Sequence, residues 1–449
     1  MATQIQSRLD PAIFRLPVDR IRQGYYSDAY FVYTKETLEA EKHHPHVTMQ
    51  VFQKRDSVLG GIDEAIAILK LCSGHQGNGT WISGWDDLEV HALREGDQIA
   101  PRETVLTIEG NYSLFAHLET VYLGSLARRS LIMRNVLEVV EAARGKQIFY
   151  FPARHDHWLV QTGDGAWIAG WDDLEVHALR EGDQITPHET VMTIEGDYSL
   201  FAHLETVYLG SLARRSLIMR NVLQVVEAAR GKQIFYFPAR HDHWLVQTGD
   251  GWSAHVAGAI GVSTDAQASW WGGRGIGTVP HGLIAAYGGD TVKAATVFAD
   301  RYEGEMNITV LVDFENDSVR TALEVAEALG SKLWGVRLDT SEDLVDRSLF
   351  DEMGGFKPTG VNPRLVENVR NALDSAGYPD VHIVASGGFN AERIREFEAA
   401  GVPVDAYGVG SSLIRGDNDF TADIVCVDGR PCAKVGRRYA PNPRLERVE

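Results

Sequence analysis

Residues 80–165 and 166–251 are the same 86 residues printed twice, differing at seven positions: 80/166, 83/169, 100/186, 102/188, 106/192, 111/197 and 138/224. The copies abut with no linker between TGDG and AWIAGWDD. Solenoid arrays stack units of about 20 to 50 residues at least three times, so a longer unit present twice is not an array. Each copy reads as short strands (LEVHAL, then TVLTIEG or TVMTIEG), a helical pair (SLFAHLETVYLGSLARR and SLIMRNVLEVVEAARG, closed by a glycine) and a strand-like QIFYF running into PARHDH. Such a piece leaves apolar faces that other parts of the chain must cover. One copy is therefore expected to be surplus to a fold that needs 449 − 86 = 363 residues, with the surplus leaving the fold at a surface loop. Copy two is expected to lead into the following domain, which makes Phe237 and Arg240 the working residues and Phe151 and Arg154 bystanders.

After residue 251 the texture changes. Apolar strand-like runs alternate with amphipathic helical ones: MNITVLVD with SVRTALEVAEALG, LWGVRLDT with PRLVENVRNALDSAG, VHIVASGG with NAERIREFEAAG, and then VDAYGVGSS. That rhythm predicts an α/β class built on a parallel sheet or barrel with helices on both faces. The expected organisation is an N-terminal α/β region over 1–165 including copy one, copy two over 166–251, a barrel-like domain over 252–425 and a tail over 426–449.

In parallel α/β folds the reacting groups collect just beyond the carboxyl ends of the strands. Here those positions hold Asp313, then Arg337, Asp339 and Thr340, then Ser386, Gly387 and Gly388, then Gly408, Gly410 and Ser411. Asn390 after the glycine pair reads as a helix N-cap, leaving free N–H groups at a helix start that suits an anion. Two such loops on adjacent strands suggest a shared phosphate grip, although a glycine pair alone is commonly just a turn. Arg337 and Asp339 share one side of their strand, fit either for pyrophosphate and ribose or magnesium contacts or for a plain ion pair. His281, after the glycine-rich GRGIGTVP, reads either as an ordinary structural or exposed histidine or, beside loops suited to phosphate, as a nucleophile toward a phosphoryl group.

Charge narrows the partners. Lys and Arg total 43 against 62 Asp and Glu, a net −19, which disfavours nucleic acid and anionic membranes as partners. Three cysteines, the absence of a signal-like opening and the absence of a long uninterrupted apolar run point to a soluble cytoplasmic protein. Cys426 and Cys432 could supply half a zinc site, and HDH at 155–157 and 241–243 could share a metal or form a basic patch with Arg154 and Arg240.

Taken in order, GYYSDAYF, FPAR, GTVPH, VRLDT, ASGGF and YGVGSS resemble the nicotinate phosphoribosyltransferase family, in its compact prokaryotic branch, over nearly the whole chain apart from one repeat unit. The resemblance implies the type II phosphoribosyltransferase fold, a small N-terminal α/β domain followed by an irregular α/β barrel. It also implies formation of nicotinate mononucleotide from nicotinate and phosphoribosyl pyrophosphate with Mg2+, coupled to ATP hydrolysis through a phosphohistidine, in a homodimer or larger homo-oligomer. By motif, His281 matches the phosphorylated histidine, while Asp313, Arg337 and Asp339 match the ribose and pyrophosphate groups. Ser386, Gly387, Gly388, Gly408, Gly410 and Ser411 match the 5′-phosphate loops, and Tyr30, Phe237, Arg240, Ser263 and Thr340 match substrate contacts. Tyr30 usually reaches across a dimer interface in that family. Two departures stand out: FPAR replaces the usual F-G-x-R, and Val262-Ser263 replaces the usual G-T. Competing expectations are a decarboxylating quinolinate phosphoribosyltransferase, against which His281 in GTVPH argues, and an inactive nucleotide-binding homologue spoiled by the repeat.

Overall fold

The computed structural model describes residues 8–144, 146–148 and 171–448. The chain forms two compact units, one of Met1–Ile148 with Asn221–Arg415 and one of Phe149–Arg220 with Gly416–Glu449.

In the first unit, helices Ala29–Ala40 and Ile62–Cys72 accompany an antiparallel sheet in which Thr104–Asn111 is central, flanked by His46–Phe52 and Glu89–Ala92. Val105, Leu106 and Ile108 of the central strand are buried, as are Tyr112, Phe115 and Leu118 just after it. The expected helical pair is instead one continuous helix, Glu119–Ala142, because no glycine or proline interrupts the run at the Arg129–Ser130 junction. Its front is enclosed, with Val121, Tyr122, Gly124, Ser125, Leu126 and Ser130 buried, whereas no residue from Leu131 onward is. Gly124 explains how closely this front can be approached: a Cβ there would lie 2.2 Å from the Asp242 carbonyl oxygen, so the turn carrying Arg240 packs against bare backbone.

The same unit holds a six-stranded, all-parallel sheet in the order Gly261–Val262, Gln233–Tyr236, Ala406–Val409, His382–Ala385, Leu333–Leu338 and Ile308–Leu311. Helices Ser318–Leu329, Pro363–Ser375 and Ala391–Ala399 follow successive strands and bury one apolar stripe each. This is the expected α/β class. Among the described residues the sheet does not close on itself; a single parallel bridge, Val279 to Val310, extends it beyond Ile308–Leu311. The strand that joins the sheet is copy two's Gln233–Tyr236. In copy one's counterpart Gln147 and Ile148 are exposed and in no strand, and the rest, including Phe151 and Arg154, lies outside the described residues.

In the second unit, copy two rebuilds the hairpin of copy one in the same register, Glu175 opposite Glu195 as Glu89 is opposite Glu109. Its neighbours differ. Copy one's hairpin gains His46–Phe52 along its central strand, whereas copy two's gains the short C-terminal strand Glu446–Arg447 on the opposite flank. Arg180 donates to Glu446, and Asn442 donates to the Thr190 carbonyl and to Glu189, fastening the tail there. Among the described residues no strand takes the place of His46–Phe52 here, and Val191, Met192 and Ile194 are only half-buried and Tyr198 is 48% exposed, against 2% for Tyr112.

The second long helix, Glu205–Ala228, differs from the first only at position 224, yet it buries a stripe of Leu209, Ala213, Leu217, Ile218, Val222, Val225 and Ala228. The boundary at Arg220/Asn221 falls inside this helix. The crossing expected on a surface loop is thus mid-helix on its return side. A loop is unnecessary because the residues on both sides keep one uninterrupted run of helical hydrogen bonds.

Candidate active site

Parallel pairing puts the carboxyl ends of the six strands on one edge, so the polar residues that follow them are neighbours. Leu311 is level with Arg337, Arg337 with Val384, and Ala385 with Tyr407. Asp313, Arg337, Asp339, Ser386 and Gly410 therefore lie on adjoining strand tips, as the sequence spacing predicts.

The contacts tie them together. Arg337 Nε donates to Ser386 Oγ at 2.8 Å and its Nη2 lies 3.4 Å from Asp339 Oδ2, while Ser386 Oγ lies 2.9 Å from Asp339 Oδ1. The guanidinium also stands 5.4 Å from the centre of the Phe237 ring, which stacks on Phe235. Arg337 and Asp339 are an ion pair at the tip, but an open one: a 3.4 Å contact leaves guanidinium hydrogens for an incoming anion.

Gly387 and Gly388 adopt φ of +85° and +78°, which side chains rarely tolerate, and they turn the chain into helix Ala391–Ala399. Asn390 caps that helix, accepting from Arg393 N–H, as expected. Arg393 was not singled out from sequence. It donates to the Gly387 and Val361 carbonyls and lies 4.3 Å over the Phe389 ring, so it moulds the glycine turn from behind. Ser412 Oγ donates to the Phe389 carbonyl at 2.8 Å, joining the Gly410–Ser411 loop to the Gly387–Gly388 loop. Thr340 is buried, and its Oγ1 has no partner among the described residues.

His281 opens the helix His281–Ala286, beside the bridge at Val279, and its Nε2 lies 3.0 Å from Asp313 Oδ1. The ring is 42% exposed and Asp313 only 6%. A buried carboxylate thus orients an accessible imidazole, and with the Nε2 proton aimed at Asp313 the Nδ1 lone pair is left available.

A second cluster lies where helix Ala29–Ala40, the start of helix Glu119–Ala142 and the Ala239–His241 turn meet. Asp28 is 3% exposed; Thr120 Oγ1 accepts from its N–H at 2.9 Å and donates to its Oδ2 at 3.0 Å, and Tyr30 OH donates to the same oxygen at 3.3 Å. Burial raises the Asp28 carboxyl above its usual range, opposed by hydrogen bonding from Ser263, by Arg240, and by Thr120 and Tyr30. Arg240 Nη1 lies 3.7 Å from Glu119 Oε1. Tyr30 is placed with residues of its own chain. Ser263 is 1% exposed, its carbonyl accepting from Ala29 N–H and its hydroxyl facing Gln267, so it braces the cluster from inside.

HDH at 241–243 has no metal-like arrangement. His243 Nε2 faces Glu64 at 3.0 Å and its Nδ1 accepts from Leu245 N–H, which makes it a helix cap, while burial and then the charges of Arg240 and Arg415 push His241 down to about 4. The other HDH lies outside the described residues. Cys426 and Cys432 sit on an exposed two-stranded hairpin, and among the described residues no group of three or more His, Cys, Asp or Glu could hold a metal ion. No described helix is long and apolar enough to cross a membrane.

The family model described as "Quinolinate phosphoribosyl transferase, N-terminal domain" matches residues 28–130, which run from before the repeat into copy one, and residues 166–216 in copy two. Two curated relatives come from Mycobacterium tuberculosis. Nicotinate phosphoribosyltransferase pncB2 is 29% identical over 273 residues, 59% of this chain and 54% of the relative; pncB1 is 29% identical over 283 residues, 61% and 58%. By sequence the chain is similar to proteins named nicotinate phosphoribosyltransferase. It spans a little over half the length of these two relatives. Among solved structures, nicotinate-nucleotide pyrophosphorylase from Pyrococcus furiosus is 27% identical, with 96% of this chain and 85% of that one covered and a TM-score of 0.44.

Proposed function

We propose that the chain makes nicotinate mononucleotide, transferring phosphoribosyl from phosphoribosyl pyrophosphate to the nitrogen of nicotinate, with ATP hydrolysis coupled through His281. The observation that carries this reading is the shared edge of the parallel sheet, where two joined glycine loops, the Arg337–Asp339–Ser386 group and the His281–Asp313 pair adjoin. The glycine loops and the N-terminus of helix Ala391–Ala399 suit the 5′-phosphate. Arg337 suits the pyrophosphate, and the orphaned Thr340 hydroxyl suits a substrate oxygen.

In the reaction the ribose C1–oxygen bond to pyrophosphate breaks and a bond from C1 to the pyridine nitrogen forms. The ring nitrogen supplies its own lone pair, so no general base is required; the chain's task is to hold the ring and stabilise the leaving pyrophosphate through Arg337. Magnesium bound largely by substrate phosphates needs only one or two protein carboxylates. Asp339 and Asp313, following neighbouring strands, are the candidates to hold it, and it would supply further charge neutralisation on the leaving group. At His281, Nδ1 attacks the terminal phosphorus of ATP as the bond to ADP breaks, and water later releases phosphate from the ring.

The test is a substrate panel of nicotinate, nicotinamide and quinolinate with phosphoribosyl pyrophosphate and Mg2+, with and without ATP. Nicotinate should react, and react better with ATP. The description of the family model keeps the quinolinate reading as the competitor; reaction of quinolinate alone, with carbon dioxide released and ATP without effect, would establish it instead.

A further inference from the structure

Arg240, matched by motif to a substrate contact, is a guanidinium suited to the carboxylate of a bound nicotinate, and it already faces acidic company. Glu119 is the first residue of helix Glu119–Ala142, with its side chain 17% exposed and Oε1 3.7 Å from Arg240 Nη1, while Arg240 itself is 42% exposed. The groups facing Glu119 are Arg240 from the Ala239–His241 turn, Asp28 and Tyr30 at the start of helix Ala29–Ala40, Tyr112 before its own helix and Tyr122 one turn along it. Arg240 is therefore set against the carboxylates of Glu119 and Asp28, with Asp339 also acting on it, before any substrate arrives, and a bound pyridine carboxylate adds another negative charge.

The two resident carboxylates are not equivalent. Asp28 accepts from Thr120 and Tyr30, which stabilises its charged form. Glu119 has the Arg240 pair and, among the described residues, no hydrogen bond to its carboxylate. We infer that Glu119 is a positioning residue for the substrate carboxylate, steadying the Arg240 guanidinium and taking up a proton as that single carboxylate arrives. The inference rests on the nicotinate reading above.

Burial, with Asp28 pushing the same way and Arg240 opposing, raises the Glu119 carboxyl to about 7. A bound carboxylate adds negative charge and raises it further. The sign follows: below pH 7 the proton is in place and binding is unhindered, while above it each pH unit removes about tenfold of the competent form. KM for nicotinate should rise correspondingly while kcat does not follow it.

The repeat supplies its own control, because Glu205 is the same residue in the same ETVYLG context of copy two. Calorimetry of nicotinate binding to the full chain at pH 7, in two buffers of different ionisation enthalpy, should show uptake of a fraction of a proton. That uptake and the alkaline rise in KM should vanish in Glu119→Gln, persist in Glu205→Gln, and return with a shifted midpoint in Glu119→Asp, each variant being checked for unchanged melting. Binding without proton uptake, an alkaline rise that survives in Glu119→Gln, or a loss seen in Glu205→Gln instead would overturn the inference alone. Failure of nicotinate to bind while quinolinate does would overturn the functional reading and the inference with it.

Discussion

Helices Glu119–Ala142 and Glu205–Ala228 share every residue but one, and they are buried differently. The first is enclosed on most sides over its front half and bare over its back half; the second carries one apolar stripe from Leu209 to Ala228. Propensity, capping and charge pattern are common to both, so they account for helix formation and for nothing in this contrast. What differs is the company: His46–Phe52 and the Arg240 turn for copy one, the C-terminal strand and the entry into the parallel sheet for copy two. In both, most of the stability comes from tertiary packing of apolar faces.

That contrast can be broken by paired substitutions, one in each copy. The largest effect belongs to the pyridine site: Arg240→Ala should weaken nicotinate binding by about 100-fold or more, as expected for truncating a charge paired with a carboxylate, while Arg154→Ala leaves it unchanged. Direct binding measurements decide it, and a loss in Arg154→Ala would mean that copy one serves the site. Next, Phe115→Ala should cost about 3 to 5 kcal/mol in denaturant unfolding, because its ring is fully buried, whereas Phe201→Ala, half-buried, should cost much less. The order reverses further along the helix. Ile218→Ala should cost about 2 to 5 kcal/mol and Ile132→Ala clearly less, since only the copy-two residue is fully buried. Smallest of all should be removal of residues 131–216, which joins Ser130 to Leu217 and restores the sequence ARRSLIMRN; nicotinate turnover should be retained, and its loss would show that the site needs both copies.

The strand tips were legible because buried parallel strands are short apolar runs whose polar punctuation marks their ends, and Asn390 because a cap residue sits at a fixed offset from its helix. Glu119, Arg393 and Ser412 were not. Arg393 acts through carbonyls six and thirty-two residues away, Ser412 through one twenty-three residues back, and Glu119 meets a guanidinium from the other repeat copy, so none leaves a local pattern. The one available hint was an acidic residue opening a helix just after a histidine-containing turn, which is an ordinary helix start. The crossing between units was illegible for a deeper reason: where two stretches of sequence are identical, nothing local distinguishes the one that will be covered.

The strand His46–Phe52, which zips along Thr104–Asn111, bears on how the chain settles this choice as it is made. At about 5 to 20 residues per second, translation delivers copy one several seconds before copy two, ample time for a hairpin that closes in microseconds. By the time the rival sequence leaves the ribosome its berth is taken. Birth order thus supplies a preference that seven substitutions scarcely could, and a chain diluted from denaturant, having lost that head start, should refold into a mixture of arrangements.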